Sequence, residues 1–323
     1  MSKIEVSTPG KLMLFGEHSV VYGRPCIVTA VDQRMRVVVE IEKSSNLQLI
    51  APEVGLSNYL QNIDNLGKSQ NIPKGARFVE TAVKNFFEKY NIRSGLKIET
   101  RSEFSSKFGF GSSSAVTVGV IKALSELFKL ELCKQELFDL SYKTVLDVQG
   151  VGSGFDLTAA IWGGTIYFKT GGEVIEPIKV LEFPLVVGYT GIKADTPTLI
   201  RQVADLHQKN ESEVENIFDQ IAILTEEAKK ALMSGDLKTA GRLMNLNQEL
   251  LNQLGVSTNK LTVLIEAARG AGAYGAKLSG AGGGDCMIAL MQENNRNEVE
   301  EAITKAGGTV LKIETNTKGV TLE

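Results

Sequence analysis

Residues 105–119 read SSKFGFGSSSAVTVG. Gly109 and Gly111 sit among five serines and one lysine, after which the chain turns apolar. Such a stretch fills a core poorly and exposes backbone amides well. A helix N-terminus presents unpaired N–H groups and a partial positive charge of about half a unit. Glycines let a ligand approach the backbone, and serine hydroxyls can bond a phosphate or a metal. Together they make an anion site. The competing reading is an ordinary serine N-cap with a flexible lead-in. Two common nucleotide fingerprints fail. No G-x-x-x-x-G-K-[ST] occurs, and Ser114 stands where G-x-G-x-x-G needs its third glycine.

Three other stretches carry residue types suited to chemistry. STPGKLMLFGEHSVVYG (7–23) brings Lys11, Glu17 and His18 together around a strand. QGVGSGFDLTAAIWGG (149–164) sets Asp156 between a glycine-rich turn and an apolar run. Alone, Asp156 reads equally as a helix N-cap. KLSGAGGGDCMIAL (277–290) places Gly280, Ala281 and three further glycines before a buried strand, which implies close backbone approach to something. A tight turn would use glycines in the same way.

The elements that position these stretches are legible from periodicity. In MRVVVEIEK, Met35, Val37, Val39 and Ile41 alternate with Arg36, Val38, Glu40 and Glu42, a period-two strand with one buried face. KLMLFG, CIVTAV, GLKIETRS, TIYFKT and PLVVGYTG also read as strands. Residues 74–90 take helical spacing, and Val116, Val120, Leu124 and Phe128 recur every four residues after the serine loop. That loop therefore joins a strand to the start of an amphipathic helix. Further helices are expected over roughly 211–233, 236–253, 258–271 and 293–306. Strands and helices segregated in each half predict an α+β fold of two lobes. We expect 1–170 to form the N-terminal lobe and 171–323 the C-terminal lobe, with a soft boundary near GGEV (171–174).

Composition narrows the function. The 323-residue chain has a net charge of −3, so no global basic field draws it to nucleic acid or an anionic membrane. Three cysteines, Cys26, Cys133 and Cys286, are odd in number and far apart. With no signal-peptide pattern at the start, they suit a reducing cytoplasm. Two histidines exclude a His-rich metal site, and no run approaches a membrane span.

The four stretches, in this order and over nearly the whole chain, resemble the GHMP kinases. TPGKLMLFGEHSVVYG is similar to the family's first motif, GFGSSSAV to its phosphate loop and KLSGAGGGDC to its third motif. Within the family, GEHSVVYGRPCIVTAV, VVGYTGIKADTPTLIRQV and MNLNQELLNQLGVS are similar to mevalonate kinases. The resemblance implies a two-lobed GHMP kinase fold with the active site in the cleft between the lobes, and ATP-dependent phosphorylation of a small alcohol, mevalonate, with Mg2+ as cofactor. Lys107, Gly109, Phe110, Gly111, Ser112, Ser113 and Ser114 would hold the ATP phosphates, and Ser113 would ligate the metal. Asp156 would accept or orient the attacking hydroxyl, with Lys11 beside it. Glu17, His18, Thr190, Gly280 and Ala281 would face the acceptor. Lys107 and Lys277 could add positive charge, although solvated loop lysines are commoner. A family lid would fall near 50–73, and dimers are common in the family.

Two departures stand out. Mevalonate kinases usually carry a metal-ligand glutamate eleven residues before the aspartate, where this chain has Val145. Asp147 is the nearby substitute. GSGFD is spelled as in phosphomevalonate kinases, so phosphomevalonate is the rival acceptor. A non-catalytic, metabolite-binding member is a second alternative, supported by Val145 and opposed by the presence of Lys11, Ser113 and Asp156.

Overall fold

MRVVVEIEK forms the second half of a seventeen-residue strand. Met35, Val37 and Val39 are buried, as the alternation requires, and Ile41 is half-buried. The structure is a computed structural model that describes residues 3–69, 71–105, 107–180 and 183–323. The first part runs β1 (Lys3–Phe15), β2 (Cys26–Glu42), β3 (Asn46–Ala51), β4 (Leu56–Asn62), α1 (Arg77–Tyr90) and β5 (Gly95–Ser102). It continues through α2 (Ser112–Leu127), α3 (Lys134–Gln149), α4 (Phe155–Trp162), β6 (Thr165–Lys169) and β7 (Val174–Ile178). Next come β8 (Leu185–Tyr189), α5 (Thr196–Lys209), α6 (Glu211–Ser234), α7 (Leu237–Gln253) and α8 (Asn259–Gly270). β9 (Gly275–Ser279), β10 (Cys286–Leu290), α9 (Arg296–Lys305), β11 (Thr309–Leu311) and β12 (Thr321–Leu322) complete it.

The first sheet has the order β12-β1-β2-β5-β3-β4, and β6 joins it through β2. β2 is long enough to pair with β6 over its first residues and with β5 over its last. Among the described residues, only β3 and β5 run parallel. α2 lies on β1 and β2, with α1, α3 and α4 packed around it. Its approach is close, since a Cβ on Gly119 would lie 2.7 Å from Val37 Cγ2. The second sheet is antiparallel, β11-β8-β10-β9, covered by α7, α8 and α9.

Three helices escaped the sequence pattern. α4 is eight residues long and buries Leu157, Thr158, Ala159, Ala160 and Ile161 in succession, so it shows no apolar period. The buried stripe of α3 includes Ser141 and Thr144 beside Leu137, Phe138, Leu140 and Val145, so hydroxyls dilute its apolar period. α5 buries only Leu199 and Val203. The expected boundary at 170/171 lies in the 3-10 turn that joins β6 to β7. It falls inside the β6–β7 hairpin, where Lys169 pairs with Val174. The C-terminal β12 returns to pair with β1 in the first sheet. Interstrand bonding therefore continues across the proposed division. The 50–73 region forms the end of β3, β4 and two short 3-10 turns; Gln70 lies outside the described residues.

The first and third motifs are stitched together. Ser279 Oγ accepts from Met13 N at 3.0 Å and donates to Met13 O at 2.9 Å. Lys277 donates to the Glu17 carboxylate, and both side chains are fully buried. Burial pushes the Glu17 carboxyl up and the Lys277 ammonium down, and their attraction opposes both shifts. Removing one member strands a buried charge. K277M is therefore expected to lower the unfolding free energy by about 3–5 kcal/mol. The pair E17M/K277M should recover most of that loss. Urea unfolding of the two variants checks this, and a K277M protein as stable as wild type would refute it.

Candidate active site

α2 begins at Gly111, whose φ is +76°. No side chain caps the helix, so Ser112, Ser113 and Ser114 are its first three residues rather than an N-cap. Their hydroxyls are free of capping duty, and the first-turn amides lack helical partners. Glycine at 111 is required twice over. Its φ is left-handed, and a Cβ would lie 3.1 Å from Lys11 Cε and 3.3 Å from Asp156 Oδ1.

That contact places the phosphate loop against a charged pair. Lys11, on β1, is 7% exposed. Its Nζ stands 3.0 Å from Asp156 Oδ1 and donates to Gly109 O at 3.0 Å. It also lies over the Phe155 ring, 5.0 Å from the centroid. The contact with Asp156 is an ion pair without an aligned hydrogen bond, for Oδ1 is buried and accepts none. Asp156 is the second residue of α4, and Gly154 is the cap, with φ +95°. The N-cap reading of Asp156 fails. Its side chain is 30% exposed, so the carboxylate can meet a ligand.

These groups line one cavity of about 950 Å3. Gly109, Gly111 and the three serines line it, together with His18, Ser279, Gly280 and Ala281. Phe110 does so with its backbone region only, since its ring packs in the core at 2% exposure. His18 has φ +61°, and its Nε2 lies 2.9 Å from Ala281 O. Burial lowers its pKa below the usual imidazole value. The neutral ring with Nε2–H as donor fits that contact.

Other expected site residues lie elsewhere. Glu17 does not line the cavity; it is sealed against Lys277. Lys277 is correspondingly a buried strand residue and not a solvated one. Thr190 is buried, with its hydroxyl donating to Ile192 O at 3.2 Å, and it does not line the cavity. Lys107 is exposed and outside the cavity. Asp147 is held by Asn85 at 2.9 Å and Lys143 at 2.6 Å, away from the cavity that Val145 lines. It does not replace a glutamate at 145.

Five charged lining residues were missed: Glu53, Lys74, Lys193, Asp195 and Asp285. Asp285 carried a signal, being the charged residue that ends the glycine run 282–284. Burial raises its carboxyl above the ordinary aspartate value. Lys74 and Lys193 carried none. For a cation, the cavity offers the Ser113 hydroxyl and the carboxylates of Glu53, Asp156, Asp195 and Asp285, and no cluster of three or more His, Cys, Asp or Glu that could hold a metal ion occurs among the described residues. Hard oxygens in this number suit a divalent ion that completes its shell with water and phosphate oxygens.

Two family models match the chain: the GHMP kinases N terminal domain over residues 77–164 and the GHMP kinases C terminal domain over 228–309. The first spans the serine loop and Asp156, and the second spans the third motif. The chain belongs to the GHMP kinases. It is 38% identical to a mevalonate kinase from Pyrococcus abyssi over 98% of this chain and 97% of that protein. The Methanococcus jannaschii mevalonate kinase structure is similar at a TM-score of 0.83 and 28% identity, covering 98% of this chain and 99% of that one. The L. major mevalonate kinase in complex with R-mevalonate gives 0.78 and 28%, covering 98% and 96%.

The lowered His18 pKa has a testable sign. Its contribution to stability is complete above the unfolded value of about 6.5 and is lost as pH falls below it, because unfolding then takes up a proton. H18N keeps a residue that tolerates positive φ. Between about pH 6.5 and about pH 5.5, wild type should lose up to about 1.4 kcal/mol relative to H18N. Urea titrations at both ends measure it, and parallel profiles for the two proteins would refute it.

Proposed function

We propose that the protein transfers the γ-phosphoryl group of ATP to a hydroxyl of mevalonate, giving 5-phosphomevalonate for isoprenoid precursor synthesis. The observation that carries the reading is the Lys11–Asp156 pair set against the phosphate loop inside one cavity. The acceptor is supported by relatives named as mevalonate kinases along nearly the full chain. Free cysteines and the acidic balance suit a cytoplasmic setting.

Phosphoryl transfer is catalysed mainly by positioning and charge stabilisation. The amides at the start of α2 would hold the triphosphate. Ser113 would hold Mg2+, which would supply charge neutralisation at the phosphates when bound. Asp156 would orient the acceptor hydroxyl and take its proton as the oxygen attacks phosphorus. Lys11 stabilises the carboxylate before transfer and the developing charge on the oxygen during it. His18, with its ring fixed by Ala281, would form part of the acceptor wall.

Phosphomevalonate as acceptor would bring about one to two more negative charges. Among the described residues, the cavity is lined by Lys11, Lys74 and Lys193 and by no arginine, and Lys11 is already engaged. Purified protein with Mg-ATP should release ADP with mevalonate and remain idle with 5-phosphomevalonate, homoserine and galactose. D156N should fold as wild type and lose roughly 10²–10⁴-fold in kcat. Turnover of 5-phosphomevalonate alone would replace the acceptor, and an active D156N would remove Asp156 from the chemistry.

A further inference from the structure

Asp285 has φ +50°. Its three predecessors are glycines, and the backbone alone would favour a fourth. What aspartate adds is a carboxylate, and that carboxylate has a defined task. Its Oδ1 accepts from Ala194 N at 2.8 Å. The Asp285 backbone N–H donates to Ile192 O at 2.7 Å, and its carbonyl accepts from Thr190 N at 2.9 Å. Three bonds thus fasten segment 190–194 to the third motif. The two run in contact, since a Cβ on Gly284 would lie 2.5 Å from Ile192 O.

The fastened segment carries Lys193, an exposed side chain that lines the cavity. It enters no ion pair among the described residues. The other lining lysines differ. Lys11 is spent on Asp156 and Gly109. Lys74 precedes α1, outside the segment that Asp285 fastens; its charge acts on Asp195, as that of Lys193 acts on Asp285. The triphosphate already has the N-terminus of α2 as its anion site. Segment 190–194 belongs instead to the wall built by the third motif, where His18 bonds Ala281. An acceptor carboxylate bound against this wall needs a cation, and Lys193 is the one presented there.

We propose that Lys193 anchors the carboxylate of the acceptor, and that Asp285 is the positioning residue that holds the Lys193 segment in place. The proposal rests on mevalonate as acceptor. It assigns the chain's selectivity for a hydroxy acid over an uncharged polyol to a single lysine of the VVGYTGIKADTPTLIRQV stretch.

The test compares two acceptors at saturating Mg-ATP: mevalonate, and 3-methylpentane-1,3,5-triol, in which a hydroxymethyl group replaces the carboxylate. Wild type should prefer mevalonate. K193M should raise the mevalonate KM by about 10–100-fold, the worth of a charge-assisted contact. Its kcat should fall far less, its KM for ATP should stay, and the preference over the triol should collapse. K193R should restore the preference. D285A should raise the mevalonate KM in the same direction, and D285N, which keeps the Oδ1 acceptor for Ala194 N–H, should restore it. Should D285A fail to fold, the exposed Lys193 decides the matter alone. A K193M enzyme with an unmoved mevalonate KM, or with a raised KM for ATP instead, overturns the proposal while leaving the kinase reading intact. A wild-type protein idle on mevalonate overturns both.

Discussion

Lys11 keeps its ammonium almost wholly out of water, and a cation in that position must regain from the protein what it loses in hydration. Its three partners come from two places. The Asp156 carboxylate and the Phe155 ring sit on the first turn of α4, and the Gly109 carbonyl sits in the phosphate loop. The lysine itself is held on β1, where its backbone N–H donates to Phe110 O at 3.1 Å. One charge therefore fixes the distance between the strand, the loop and the helix. A residue larger than glycine at 111 would push that charge away from its carboxylate. The catalytic geometry and the local packing are the same set of contacts.

A second buried lysine gives the contrast that explains why only one pair is suited to chemistry. Lys277 and Glu17 are both fully buried, so neither can meet a ligand, and their work is to join the first motif to the third. Asp156 keeps almost a third of its side chain open. A charge with one side held by protein and the other facing the cleft can change partner when substrate arrives. A sealed charge cannot. The sealed pair still matters to the site, since the same junction includes Ser279 on Met13 and His18 on Ala281.

Local signals in the sequence reached as far as the strands, the serine loop and the glycine run. Period-two alternation is decided within one strand, and Met35, Val37 and Val39 obey it. The serine loop announces itself because helix start and phosphate cradle share one segment. The roles of the lysines were beyond such reading. Lys107 and Lys277 both flank glycine loops, yet one is exposed and the other is sealed by Glu17, 260 positions away. Lys193 is equally silent in sequence, because what distinguishes it is the Asp285 carboxylate on the neighbouring residue's amide. Helix α3 was hidden because Ser141 and Thr144 take core positions.

Val145 shows how a departure from a family pattern is absorbed. It lines the cavity, and a Cβ on Gly152 would lie 3.2 Å from its Cγ1, so the corner is both apolar and crowded. Asp147 on the same helix does not turn into that corner in its stead, being committed to Lys143 and Asn85. A cation beside the phosphate loop must then draw on Ser113, the carboxylates that line the cavity, phosphate oxygens and water. An ion that dehydrates reluctantly and keeps several waters is the kind such a site accommodates. The burden of orienting the reaction shifts accordingly onto Asp156, which is why its position is fixed from two sides, by Lys11 and by its place on the first turn of α4.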